Sequence, residues 1–261
     1  MKLIKNLCVF TAILVSGAGL EAYSQELKLV GNKVESYIND HNLPARQIDI
    51  VKAALSDVEL EVTATTQAWY GSGLRNGTYN GFIDHYSLNA KKDEYLYSKP
   101  YITFELHLGA KTPGIKEIAL LDQLGRARVG IETRFANTDT VRGERSVSWA
   151  RSQVFYENIR QFADKRVDFI LADKDMIMQF NNLLSLKNEE LIYLSNEPMY
   201  VVEVSLGLSK SVQNAASIIN QFNQNIDNLK ASGEYQKLLT GDTSKDSLLN
   251  PVVYEDILRK W

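Results

Sequence analysis

Apolar and polar positions along the chain alternate between two periods. Leu27–Val30 is a short apolar run of strand length, and Ile48–Leu55 carries apolar residues at helical spacing. Val58–Thr63 alternates apolar and polar residues, the mark of a half-buried strand. Trp69–Arg75 reads as a short helix leading into a turn at Gly77, followed by a strand at Gly81–Ile83. Ile102–Leu108 is a further strand. Beyond Pro113-Gly114 the alternation resumes, with a helix at Ile115–Gln123 and a strand at Ala127–Ile131. A long helix at Val147–Lys165, a strand at Val167–Ala172 and an amphipathic helix at Met176–Leu184 follow. Ile192–Leu194 and Met199–Leu208 are strand-like. In Val212–Ala231 the residues Val212, Ala215, Ile219, Phe222, Ile226 and Leu229 fall on one helical face, and Gly233 supplies a stop. Pro251 opens a last helical segment, expected to lie on the surface.

Two stretches echo one another. In each, a helix ends in a polar turn and runs into a short apolar strand, Gly81–Ile83 and Phe169–Ala172. Each strand stops at polar residues, Asp84-His85 and Asp173-Lys174-Asp175. Ligands of open α/β sheets bind at the carboxyl ends of parallel strands. Two such ends, one in each half, predict two α/β lobes facing one cleft.

Several segments resemble extracellular solute-binding proteins of the amino-acid-binding type (family 3). They are Tyr95–Tyr101 (YLYSKPY), Asn76–Phe82 (NGTYNGF), Leu124–Thr133 (LGRARVGIET), Lys165–Asp173 (KRVDFILAD) and Ser205–Leu239. The matches run in the family's order from residue 27 to about 240. The resemblance implies an α/β, periplasmic-binding-protein-like type II fold, two α/β lobes joined by a two-strand hinge. Lobe 1 is expected at 25–104 plus 203–261, and lobe 2 at 105–202.

Composition narrows the function classes. Residues 1–24 read as a cleaved secretory signal: Lys2 and Lys5 make a basic start, Leu7–Val15 is apolar, and Ala22-Tyr23-Ser24 fits a cleavage site. A periplasmic location follows from that expectation. Cys8, inside the apolar run, is the only cysteine, so a mature chain has no disulfide, thiol catalyst or cysteine–zinc site. The remaining residues, about 235, can bury a core without such staples. His41, His85 and His107 show no metal-ligand spacing. The formal charge of −3 becomes −4 once residues 1–24 are removed, which leaves no electrostatic footprint for nucleic acid.

Candidate ligand contacts cluster at the strand ends. The family clamps a ligand carboxylate with an arginine after the first-lobe strand. Lys91 or Lys92 stands there in this chain, either as a point-charge anion contact or as a solvated loop charge. Asp173 matches the aspartate that holds the ligand ammonium; the alternative is a helix cap, for which Asp175 is better placed. The family's small-residue loop after the second-lobe strand is here Glu132–Asn137. Arg134 and Phe135 replace the small residues, and Arg134 reads equally as a carboxylate clamp, an interdomain ion pair or a surface group. Asn32, Tyr37, Trp69, Asp84 and His85 complete the expected first-lobe wall, and Glu132 the second.

The implied function is capture of a small polar solute, amino-acid-like or other, by a monomer that delivers it to the membrane permease of an ABC transporter. A sensory module serving a membrane receptor and a dehydratase-like enzyme are the alternatives. No cofactor is implied.

Overall fold

The computed structural model describes residues 26–32, 46–240, 249 and 251–261. The expected signal segment and Tyr37 lie outside them.

The first lobe begins with β1 (Leu27–Asn32), α1 (Arg46–Ala54), β2 (Leu60–Thr65), α2 (Gln67–Arg75), β3 (Gly81–Tyr86) and the short β4 (Tyr95–Tyr97). The chain leaves through β5 (Ile102–Ala110). The second lobe holds β6 (Arg128–Glu132), α3 (Thr133–Ala136), α4 (Asp139–Gly143), β7 (Ser148–Ser152), α5 (Phe155–Ala163), β8 (Phe169–Asp173), α6 (Lys174–Leu186) and β9 (Tyr193–Leu194). The chain returns along β10 (Tyr200–Ser209) into α7 (Ala215–Ser232) and α8 (Glu234–Thr240), and later forms α9 (Glu255–Leu258).

One sheet runs through both lobes in the order β2-β1-β3-β10-β5-β8-β6-β7. Each half repeats one plan. Three parallel strands stand in the order second, first, third, and an antiparallel strand arriving from the other half flanks the third. The two visiting strands pair with each other, from Ile102↔Val204 to Leu106↔Tyr200. The expected two-strand hinge is this ladder, and the boundary between lobes falls inside β5 and β10.

The registers set the direction of every parallel strand. β3 runs from Gly81, opposite Leu208, to Tyr86, opposite Val204 at the ladder. β8 runs from Ile170, opposite Gly109, to Asp173, opposite Leu106 at the ladder. The carboxyl ends of both parallel sets therefore meet where the lobes join.

The apolar stripe of α7 is buried at Ala215, Ile219, Phe222 and Ile226, and Gly233 ends the helix at φ 78°, a conformation that costs glycine little. Tyr101 packs edge-on against Phe222, and its hydroxyl donates to the Ile83 carbonyl.

Three expectations need correction. Val147–Lys165 is not one helix: Ser148–Ser152 pairs in parallel with Arg128–Glu132, and only Phe155–Ala163 is helical. Val147 and Val154 are buried on either side of that strand. Ile115–Gln123 forms two 3-10 turns, Pro113–Glu117 and Leu121–Leu124, in place of a helix. The tail, grouped by chain order with lobe 1 and expected on the surface, packs into lobe 2. Leu249, Tyr254, Ile257 and Leu258 are buried against Phe155, Phe162 and Phe180. Trp261 meets Phe162 at a tilt and Phe180 edge-on, with Lys111 over its ring at 4.0 Å.

Candidate functional site

The β3 end is shaped by a bulge. His85 pairs with Ser205 and Phe82 with Gly207, so Ile83 and Asp84 together face the single Leu206. The extra residue brings Phe82 and His85, three apart, into ring contact at 6.1 Å. Gly207 lets this happen, since a Cβ there would sit 2.3 Å from the Phe82 ring. Across that gap Phe82 reaches Tyr95 at 4.9 Å and Tyr97 at 6.1 Å.

Asp84 is directed elsewhere. It is 2% exposed and accepts three hydrogen bonds, from the Asn32 backbone N–H at 2.9 Å, the Asn32 amide at 2.5 Å and the Tyr70 hydroxyl at 2.9 Å. Burial raises its pKa above the ordinary carboxylate value despite these donors. The Tyr70 phenol is in turn raised by its own burial and then by Asp84. Asn32 and Asp84, expected as ligand contacts, thus hold each other and join β1 to β3.

His85 is nearly buried, and its Nε2 has no hydrogen-bond partner among the described residues. Its ring lies 4.5 Å from Tyr97. Burial, and then the charges of Lys91 and Lys92, lower its pKa. Both lysines are exposed; the Lys92 N–H donates to the Tyr97 hydroxyl at 2.9 Å, and the Lys91 ammonium lies 5.7 Å from that ring.

On the second lobe, Glu132 ends β6 fully buried, and Arg134 is the second residue of α3. Their side chains pair at 3.1 and 3.3 Å, with Arg134 6% exposed. The guanidinium also lies over Phe135 at 4.3 Å and Phe104 at 5.0 Å. Arg134 makes this ion pair within its own lobe, an arrangement that none of the three sequence readings named. Phe135 is fully buried and meets Phe104 and Tyr86 edge-on, both at 5.8 Å. Expected as a cleft-lining ring, it is core packing that reaches across the lobes.

Asp173 is 3% exposed and takes the N-cap position of α6. The cap position was expected at Asp175, which sits exposed in the first turn. The Asp173 side chain makes no capping bond. Trp69 is 71% exposed on α2, away from the buried groups; its neighbour Tyr70 is the aromatic tied to a strand end.

Sequence reasoning missed Tyr86. Its phenol is pushed up by burial and by Asp84 of its own lobe, while Arg134 of the other lobe pulls the opposite way. Its place at the end of an apolar strand was the available signal. Also missed were the direct bonds between lobes. The Ala90 N–H donates to Asp139 at 2.9 Å, and both the N–H and hydroxyl of Thr140 donate to the Leu88 carbonyl at 3.2 Å. The loop carrying Lys91 and Lys92 is thereby fastened to α4.

Three buried carboxylates, one buried arginine and a neutral-leaning imidazole stand at strand ends around the ladder. Such groups can orient a small polar molecule by hydrogen bonds and charge. Among the described residues, no group of three His, Cys, Asp or Glu side chains is placed to hold a metal.

No protein-family model and no curated protein matches the sequence. Solved structures do match in fold. A mutant of ArgBP from T. maritima aligns with TM-score 0.61 and 14% identity over 84% of this chain and 96% of that one. The GluR0 ligand-binding core in complex with L-glutamate aligns with TM-score 0.63 and 11% identity over 83% and 97%. AbpA from Streptococcus pneumoniae, an amino acid ABC transporter substrate-binding protein bound to L-arginine, aligns with TM-score 0.59 and 18% identity over 89% and 95%. The chain therefore has the periplasmic-binding-protein-like type II fold that these three neighbours share.

Proposed function

We propose that this protein binds a small polar solute between its lobes and delivers it to the permease of an ABC transporter. The supporting observation is the direction of the strands: the parallel sets of both lobes end at the same ladder, with Asp84, Glu132 and Asp173 buried at those ends. Asp84 is occupied by Asn32 and Tyr70, and Glu132 by Arg134. Asp173, buried at the end of β8 and aligned with the ammonium-holding aspartate of the family that the sequence resembles, is the carboxylate proposed to take a ligand ammonium. Lys91, Lys92 and His85 are proposed for its acidic or hydrogen-bonding end. The names of the fold neighbours make amino acids the first class to try. A periplasmic location belongs to this reading and draws on the basic and apolar start of the sequence. No helix among the described residues is long and apolar enough to cross a membrane.

A thermal-shift screen of the purified protein against the common amino acids, L-arginine and L-glutamate included, tests the reading. A ligand at about 100 times its Kd stabilises by about 2.7 kcal/mol. At least one amino acid should raise Tm, and Asp173→Ala should reduce that rise more than Lys91→Ala or Lys92→Ala. A flat screen, together with no small molecule released on denaturing the protein, would refute the proposal.

A further inference from the structure

A cavity lies away from the strand ends, between α7 and the crossing ladder. Its volume is about 390 Å³, within the range of roughly 300–1,000 Å³ typical of small-molecule sites. One wall is the rung Thr103↔Glu203, where β5 and β10 pair on their way between lobes. The other is a stripe of α7, Asn223, Ile226, Asp227 and Lys230, spaced so that they share one helical face. Lys99 closes one end.

Ile226 is buried at the cavity floor, Asn223 is half-buried, and Lys99, Thr103, Glu203, Asp227 and Lys230 are exposed, so the cavity is a groove open to solvent with charged side chains along its rim. Four charged groups face the cavity, Lys99 and Lys230 against Glu203 and Asp227. Among the described residues no ion pair joins any of them. The cavity is nevertheless well anchored. The Lys99 N–H donates to the Asn223 side-chain oxygen at 2.9 Å, and the Lys230 ammonium rests 5.1 Å from the Tyr235 ring.

We infer that this cavity is a second binding site, for a small zwitterion whose ammonium meets Glu203 and Asp227 and whose carboxylate meets Lys99 and Lys230. Its occupant would touch the rung that must twist when the lobes move. Binding there is therefore coupled to opening and closing of the lobes, and the coupling is reciprocal.

The test is amide NMR on the folded chain, titrated with L-glutamine and with 4-aminobutyrate. Saturable shifts are expected at Thr103, Glu203 and Lys230. The double variant Glu203→Gln, Asp227→Asn should weaken that binding about tenfold or more, a change of about 1.4 kcal/mol. Asp173→Ala alters the interlobe site, so it should move the midpoint of this titration through the coupling without abolishing the saturable shifts. Two results would overturn the inference: no saturable shift at these amides with either probe at millimolar concentration, or shifts that persist in the double variant. Loss of the shifts in Asp173→Ala alone would also overturn it, by tracing them to the interlobe site.

Discussion

Asp84 is the most constrained side chain at the strand ends. An acid whose pKa is raised by folding holds its proton more tightly in the native state. Its contribution to stability is thus fully present below the unfolded value of 3.8 and is lost as pH rises through the folded value. Asp84→Asn removes the charge and keeps the shape. The amide oxygen still accepts from Asn32, and the new NH2 can donate to the Tyr70 oxygen, since a phenol serves in either role. Urea unfolding should show Asp84→Asn gaining on the wild type as pH rises above about 4, the ordinary carboxylate range. Asp84→Ala strands the donors of Asn32 and Tyr70 and should cost about 1–3 kcal/mol. Equal stability of the wild type and both variants at every pH would show that the carboxylate carries no such burden.

At the scale of elements, α9 and the residues around it are the departure from a plain two-lobe plan. A helix is expected from Pro251 onward, but only Glu255–Leu258 is helical. Short helices gain their stability from packing, not from propensity, and here Tyr254 and Phe180 make ring contact at 5.5 Å beside buried Ile257. Ile257→Ala should lower stability by about 2–5 kcal/mol. Val252→Ala, at a side chain 76% exposed, should stay within about 0.5 kcal/mol. The midpoints of urea unfolding, compared at equal slope, separate the two. A tail that merely lies on the surface would make the two substitutions equivalent.

For the whole molecule, direct contacts join the two lobes away from the ladder. Asp139 and Thr140 of α4 hold the loop at Leu88 and Ala90, and Tyr86 meets Phe135. Each hydrogen bond is worth about 0.5–1.5 kcal/mol net, enough in combination to move a two-state equilibrium substantially. Small-angle scattering without added solute should report a compact wild type. The variant Asp139→Ala, Thr140→Val should have a larger radius of gyration. An identical radius in both proteins would mean that these bonds do not set the opening. Opening of this kind is hinge motion about the β5–β10 ladder.

Most strands and helices, the stripe of α7, its stop at Gly233 and the two strand ends at Asp84-His85 and Asp173 were legible in the sequence; the strand Ser148–Ser152 and the 3-10 turns after Thr112 were not. Period and turn chemistry are local properties, and they survive into the fold unchanged. The partition of roles at the site was not legible. Nothing local says that Asp84 accepts from Asn32, that Glu132 pairs with Arg134, or that Phe135 packs on Tyr86 of the other lobe. The bulge that aims His85 beside Phe82 depends on the pairing with Gly207, a residue more than a hundred positions away. The tail's choice of lobe rests on Phe155, Phe162 and Phe180, which its own sequence does not contain. Sequence determined which segments could form each element, because backbone propensity and hydrophobic period act over a few residues. Tertiary structure decided which polar groups face one another, because burial and pairing are properties of residues brought together only when the chain is folded.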